Sequence, residues 1–361
     1  MFSDQDRLFM RRALDLAEKG LYTTTPNPRV GAVIVKDGKI AGQGWHEQAG
    51  MPHAEIHAIK DAGSLCRDAT LYVTLEPCSH HGRTPPCADA VVASGISRVV
   101  FAMQDPNPLV AGRGLKRLMD AGVNVECGLL EMEAMALNPG FVSRMKRGRP
   151  WVRLKIAASL DGKTALEDGT SQWITGDEAR QDGHRFRARA CAILTGIGTV
   201  LADDPRLTVR DVEISRQPLK IVLDSRLRIP EDAKIVGGNL LVVAAEENPG
   251  KRKVLEKAGA EVVFLPDEKG SVDLHALLNE LGRRGINELH VEAGEKLNGA
   301  LLEAGLVDEF VFYLAPCLLG KRAKGMFDIP ALQKMEDRHA LEISDVEMLG
   351  KDLRILGRRH V

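Results

Sequence analysis

Residues 70–87 read TLYVTLEPCSHHGRTPPC. The first six are β-branched, aromatic or aliphatic and end at Glu76-Pro77, which predicts a buried strand over 70–75. That strand delivers Cys78 to a loop, and a helix is expected to start at Cys87. Eight residues, Ser79 to Pro86, separate the two thiols. Pro85 and Pro86 hold φ fixed and stiffen the run into Cys87. Upstream, His53-Ala54-Glu55 opens another predicted helix, 54–62, closed by Gly63. One imidazole (His53) and two thiolates (Cys78, Cys87) are a normal ligand set for a catalytic Zn2+ with one open position. The open position takes a water, and zinc lowers its pKa toward neutrality. Glu55 can move a proton there without binding the metal. The positive end of a helix at Cys87 favours its thiolate.

The surrounding pattern is α/β. Ser3 with Asp6 reads as a capping box for a helix running to Lys19 and stopped by Gly20. Asp37-Gly38 lies between the apolar runs 30–35 and 40–45, a strong hairpin signal. Strands at 98–103 and 123–128 flank a helix at 115–121, giving a strand-helix alternation. His53, Glu55 and Cys87 therefore fall at helix starts. Asn27, His46, Arg83 and Asp105 lie in loops near the same strand ends, where α/β sheets place ligands.

The spacing resembles the zinc deaminase signature, H-x-E followed by P-C-x-x-C, with eight residues between the cysteines in place of two. Two bland readings stay open. Buried cysteines can be simple apolar residues. A structural zinc would take a fourth ligand from His80 or His81 but leave Glu55 idle. Cys66, Cys127, Cys191 and Cys317 have no ligand-like neighbours.

Residues 138–150, NPGFVSRMKRGRP, are rich in Gly, Pro and basic residues and lack apolar periodicity, so the domain boundary is placed near Arg147. Domains at 1–147 and 148–361 are expected. Beyond the boundary, strands are expected at 151–157, 190–195, 220–224, 240–244, 261–265, 288–292 and 309–314, with helices at 177–190 and 295–304. No GxGxxG follows a strand. Thr195-Gly196-Ile197-Gly198-Thr199 is a weak Gly loop. Gly294-Glu295-Lys296-Leu297-Asn298 is the better phosphate-binding candidate, because it follows a strand and opens a helix.

The chain has 361 residues, 44% hydrophobic and 27% charged, with formal net charge −1. This length suits about two domains. The charge excludes a basic field for nucleic acid or anionic membrane. Six cysteines in so long a chain make no disulfide framework, and thiols kept for metal suit a reducing compartment. The start, MFSDQDRLFMRR, lacks the apolar stretch of a secretory leader. No uncharged run nears the ~18 residues that span a bilayer. A cytoplasmic protein, soluble and homo-oligomeric, is expected.

The runs TPNPRVGAVIV (25–35), HAEIHAI (53–59), EPCSHHGRTPPC (76–87) and QDPNPLVAGRG (104–114) resemble the deaminase domain of the bifunctional riboflavin-biosynthesis deaminase-reductases. VRLKIAASLDGKTAL (152–166), SQWITG (171–176), ILTGIGTVLADDPRLTVR (193–210) and HVEAGEKLNGALL (290–302) are similar to the reductase domain of that family. The long Cys-to-Cys insert is that family's own form. The resemblance implies a cytidine-deaminase-like three-layer domain, then a dihydrofolate-reductase-like domain that uses NADPH without a Rossmann fingerprint. It implies pyrimidine contacts from Asn27, His46, Arg83 and Asp105. Cofactor contacts are implied for Ala157, Trp173, Thr199, Asp203 and Ser225. The run Gly294, Glu295, Lys296, Leu297, Asn298, Gly299 and Ala300 joins them. Lys155, Ser171, Arg187, Leu207, Arg210 and Glu292 are implied to bind the pyrimidine ribotide. Arg187 and Arg210 suit its phosphate through bidentate contacts. Two rivals stay open: a nucleoside or nucleotide deaminase with a non-catalytic second domain, and a zinc-organised binding protein.

Overall fold

A computed structural model of the chain describes residues 2–79, 86–108 and 110–359. The chain divides into two compact units, Met1–Gly148 and Arg149–Val361.

The first unit opens with α1 (Asp4–Glu18), whose capping box forms: Asp6 N–H donates to Ser3 Oγ and Ser3 N–H to Asp6 Oδ2. β1 (Gly31–Lys36) and β2 (Lys39–Trp45) form the expected hairpin, with Asp37 and Gly38 at φ 51° and 73°. Both positive angles are what a two-residue turn of this hand requires. α2 (Ala54–Ala62), β3 (Thr70–Leu75), α3 (Cys87–Ala93), β4 (Arg98–Met103), α4 (Arg113–Asp120), β5 (Asn124–Cys127), α5 (Glu131–Leu137) and α6 (Pro139–Arg147) follow. The sheet order is β2-β1-β3-β4-β5. β1 runs antiparallel to β2 and β3, whereas β3, β4 and β5 are parallel. β1, β3 and β4 are buried nearly throughout, as strands covered on both faces should be.

α2 lies directly on β2. Its Ala54, Ala58 and Ala62 are buried, one helical turn apart. A Cβ on Gly44 would stand 2.4 Å from His57 Cβ and 2.8 Å from Ala54 O, and one on Gly42 would stand 2.4 Å from Ala58 O. The two glycines are what lets the helix backbone touch the strand. Residues 138–150, expected as an aperiodic connector, instead carry α6. Pro139 begins it, Arg144, Lys146 and Arg147 fill its last turn, and Gly148 caps it at φ 70°. Gly140 and Ser143 are its buried residues, and Phe141 and Val142 pack half-buried against the core, so its apolar pattern is short and mixed.

The second unit comprises β6 (Trp151–Ser159), β7 (Lys163–Ala165), α7 (Asp177–Arg189), β8 (Ala192–Gly196), α8 (Ile197–Asp203), β9 (Leu219–Leu223), β10 (Leu240–Ala244), α9 (Pro249–Lys257), β11 (Ala260–Phe264) and α10 (Leu274–Arg283). After them come β12 (Glu288–Glu292), α11 (Glu295–Glu303), β13 (Glu309–Ala315), β14 (Lys324–Gly325), β15 (Leu341–Leu349) and β16 (Asp352–Arg359). The main sheet has the order β11-β10-β9-β8-β12-β6-β13-β16-β15. From β11 to β13 the neighbours are parallel; β16 and β15 complete it antiparallel. The Gly loop 195–199 is the end of β8 and the opening of α8. The β15–β16 hairpin lies outside the strands expected from sequence: eight of nine β15 residues are exposed, so cross-strand pairing forms it, not burial. Among the described residues no helix is long and apolar enough to cross a membrane.

Candidate functional site

In the first unit, the turn after β3 and the starts of α2 and α3 meet. His53 is the N-cap of α2, and its side chain makes no capping hydrogen bond, so the imidazole is free to turn outward. Cys87 is the first residue of α3. His53 Nδ1 lies 3.6 Å from Cys78 Sγ and 3.2 Å from Cys87 Sγ. All three ligand atoms lie within 4.8 Å of one another. Ligands bonded tetrahedrally to zinc at about 2.1 and 2.3 Å stand about 3.6 Å apart, so the donor set fits the ion. Cys87 N–H donates to Cys78 Sγ at 3.3 Å. Hydrogen bonding from the Cys87 thiol, and then from His53, pushes Cys78 down to about 4, whereas Cys87 is held up by Cys78 beside it.

Glu55 sits in the first turn of α2 and is buried, 3% exposed. Burial pushes its carboxyl up to about 7, against the pull of His53, and the Cys87 thiol hydrogen-bonds it. A carboxyl poised near neutrality beside the His53, Cys78 and Cys87 side chains is suited to taking and returning a proton.

Asn27 and His46 join this cluster. Asn27 Nδ2 lies 3.1 Å from His46 Nε2, and His46 Nδ1 lies 3.1 Å from Pro52 O. The carbonyl can only accept, so the proton sits on Nδ1 and Nε2 accepts from the amide. The His46 ring meets His53 edge-on at 5.3 Å. Asp105 follows β4; its Oδ1 accepts from Asn107 N–H at 2.8 Å. Arg83, with His80 and His81, lies outside the described residues.

One residue was not anticipated. Glu76 is buried next to Pro77-Cys78 and accepts backbone N–H bonds from Asp105 at 3.2 Å, Gly112 at 3.0 Å and Leu115 at 3.0 Å. It ties the loop bearing Asp105 to the turn bearing Cys78. Its only sequence signal is adjacency to that turn.

The second unit holds a cleft of about 1720 Å³ over the carboxyl ends of its parallel strands. Lys155 and Ala157 of β6, Thr199 and Asp203 of α8, and Ser225 after β9 line it. So do Ser171 and Trp173 of the 166–176 segment, Leu207, Arg210 and Arg187, and Glu292 at the end of β12. Gly294, Glu295, Lys296, Leu297 and Ala300 close one side. Asn298 and Gly299 do not line it. Asn298 donates to Met326 O at 3.0 Å, and a Cβ on Gly299 would stand 2.0 Å from Asp328 O, so both face the 326–328 loop. A helix turns about 100° per residue, so consecutive residues of one run point in different directions.

The electrostatics of this cleft separate its two arginines. Arg187 donates twice to Glu292, through Nε to Oε1 and through Nη2 to Oε2 at 2.9 Å, and from Nη1 to Thr208 O at 3.0 Å. The Arg210 guanidinium is exposed and has no ion-pair partner among the described residues. Lys155 Nζ stands 3.9 Å from Glu292 Oε2, and burial lowers its pKa. Ser171 hydrogen-bonds Asp203, whose carboxyl is raised by burial. Gly294 N-caps α11 with no side-chain partner, and a Cβ there would meet nothing within 4 Å. Open helix N–H groups facing a roomy cleft suit a phosphate.

Fold and site together define a metal-dependent deaminase unit joined to a separate α/β unit with a large cleft. The zinc-binding region of cytidine and deoxycytidylate deaminases matches residues 3–103, and the RibD C-terminal domain matches residues 150–354. The riboflavin biosynthesis protein RibD of Escherichia coli K12 is 49% identical, covering 97% of this chain and 98% of its own. The protein of the same name from Aquifex aeolicus is 43% identical with 100% of each covered. A solved Acinetobacter baumannii RibD superposes with TM-score 0.93 at 43% identity over 99% of both chains. A Thermotoga maritima diaminohydroxyphosphoribosylaminopyrimidine deaminase/5-amino-6-(5-phosphoribosylamino)uracil reductase does so at 0.87 and 36%, again over 99% of both chains. The chain belongs to the RibD family of bifunctional deaminase-reductases of riboflavin biosynthesis. The expected α/β architecture, a cytidine-deaminase-like unit followed by a reductase unit, stands.

Proposed function

We propose that residues 1–147 hydrolyse an exocyclic amine from a diamino-ribosylamino-pyrimidinone 5′-phosphate, and that residues 148–361 then reduce its ribosyl group to ribityl with NADPH. The observation that carries this reading is the convergence of His53, Cys78 and Cys87 beside the buried Glu55. These three residues would hold zinc, which supplies the Lewis acidity that makes water ionisable near neutral pH. Glu55 takes the proton from the attacking water and gives it to the departing nitrogen. A carbon–oxygen bond forms, the carbon–nitrogen bond breaks and ammonia leaves. Asn27, His46 and Asp105 hold the pyrimidine, with Arg83 assigned to the same group.

In the second unit NADPH supplies the hydride, and the protein supplies orientation. The open N-terminus of α11, Gly294 and Lys296 take the dinucleotide phosphates. Ala157, Trp173, Thr199, Asp203 and Ser225 complete that side. Arg210 meets the substrate phosphate, Leu207 and Ser171 flank it, and Arg187 orients Glu292 beside Lys155.

A cytoplasmic homo-oligomer completes this reading. Thiols kept for a metal suit a reducing compartment. The outer face of β15 exposes Ile343 (60%), Val346 (53%) and Met348 (60%), an apolar row of the sort that marks a contact with another chain.

The test incubates purified protein with the diaminopyrimidine ribotide, with and without NADPH, and identifies products by mass. Replacement of one amine by oxygen without NADPH, and gain of two hydrogens with it, is expected. Ammonia release with no NADPH oxidation would leave a deaminase with an inert second unit. Neither product would refute both assignments.

A further inference from the structure

His184 belongs to none of the residue sets above, yet it lines the second unit's cleft from α7, one turn before Arg187. Its side chain is nearly sealed, 7% exposed. Its Nδ1 accepts the backbone N–H of Arg210 at 3.2 Å. An accepting Nδ1 places the single ring proton on Nε2. Burial, then the charges of Arg187 and Arg210, push its pKa down to about 4, against weaker support from Glu292 and Asp211. The imidazole therefore stays neutral and keeps the lone pair that the Arg210 amide needs.

The segment that receives this bond needs holding. Asp204, Leu207 and Asp211 adopt φ of 41°, 46° and 62°, a region that side chains other than glycine disfavour. Anchors surround it. Arg187 Nη1 donates to Thr208 O at 3.0 Å. Val209 N–H donates to Gln217 Oε1 at 2.8 Å and Gln217 Nε2 returns a bond to Val209 O at 3.2 Å. Leu207 is buried. Of these contacts, the one on the peptide of Arg210 itself comes from His184.

We propose that His184 is a positioning residue: it pins the strained 204–211 segment to α7 so that Arg210 presents its exposed guanidinium to the substrate's phosphate. The proposal rests on Arg210 as the phosphate contact. Arg187 is the weaker candidate, because three of its five N–H donors are already committed to Glu292 and Thr208 and its charge is paired with Glu292. The neutral, committed Nδ1 also separates His184 from a proton-donating role.

The experiment is steady-state reduction of the deaminated ribotide by full-length His184→Leu, His184→Asn and Arg210→Ala proteins and the His184→Leu/Arg210→Ala double variant. His184→Leu should raise KM for the ribotide about tenfold, with kcat and KM for NADPH near parental values. Asn places an amide oxygen close to the Nδ1 position and should restore most of the loss. On the Arg210→Ala background, His184→Leu should add nothing, since a positioning effect vanishes with the group positioned. NADPH titration and ammonia release report folding of each unit. Should Leu not fold, His184→Gln, whose acceptor sits one bond too far, reads the same loss. A His184→Leu KM at the parental value with a raised Arg210→Ala KM would overturn this proposal alone. So would additive effects, an Asn variant as damaged as Leu, or a fall in kcat with KM unmoved. An unmoved KM in Arg210→Ala would remove the phosphate assignment and the proposal with it.

Discussion

Gly44→Ala tests whether the packing of α2 on β2 sets the metal site. The added Cβ would stand 2.4 Å from His57 Cβ and 2.8 Å from both Ala54 O and Ala58 N. Carbon contacts settle near 3.5–4.0 Å, so α2 must retreat by about 1 Å at its first turn. Overpacking of this kind costs about 1–3 kcal/mol. The first turn carries His53 and Glu55, and a displacement of about 1 Å there lowers rate by about 10²-fold. Ammonia release should fall accordingly, while NADPH oxidation with the deaminated intermediate stays parental. Gly42→Ala is the internal comparison. Its Cβ would strike Ala58 O at 2.4 Å and Ala62 N at 2.5 Å, at the far end of the helix. It should lower the melting temperature of the first unit as much and deamination less. Zinc content by elemental analysis, ammonia release and calorimetry of the three proteins make the assay. Parental ammonia release by a zinc-loaded Gly44→Ala protein, or equal losses in both variants, would refute the reasoning.

Further outcomes are expected. Cys78→Ser protein should lose its zinc, against one equivalent in the parent; full retention would remove Cys78 from the ligand set. Glu55→Gln should keep the metal and lose deamination by about 10²–10⁴-fold, measured as ammonia release, and near-parental release would defeat the proton role. Gly294→Val fills the open space at the start of α11, so it should weaken NADPH in a fluorescence titration and leave zinc and ammonia release untouched. The parent should also prefer NADPH to NADH. Acid should destabilise the second unit through His184. Its folded pKa, about 4, lies below the ordinary value near 6.5, so the unfolded chain binds more protons in between. Stability is then full above about pH 6.5 and falls toward pH 4, by up to about 3 kcal/mol. Urea unfolding followed by NADPH binding at pH 7 and pH 5 should show a smaller drop in His184→Asn, and an equal drop would contradict the assignment.

The grouping of His53, Cys78 and Cys87, the helix starts at His53 and Cys87 and the Asp37-Gly38 hairpin were legible in the order of residues. The hairpin and the first helix start depend on geometry within a few positions, a turn on two positive φ angles and a capping box on Ser3 to Asp6, whereas the thiols and the imidazole were legible through a motif whose chemistry is specific. The cleft of the second unit was legible only as names borrowed from a resemblance. Tertiary structure decided which of those names share a surface. Glu292 claims Arg187 across 105 positions, while Arg210 stays exposed with no ion-pair partner among the described residues. Asn298 and Gly299 turn to the 326–328 loop while their neighbours face the cleft. Glu76 gathers three amides from 105–115, and His184 grips the peptide of Arg210. α6 hid because its buried residues, Gly140 and Ser143, are small, and its apolar Phe141 and Val142 are only half-buried. Local pattern records how a segment folds on itself; which side chain meets which amide across the fold is set by the packing of elements far apart in sequence.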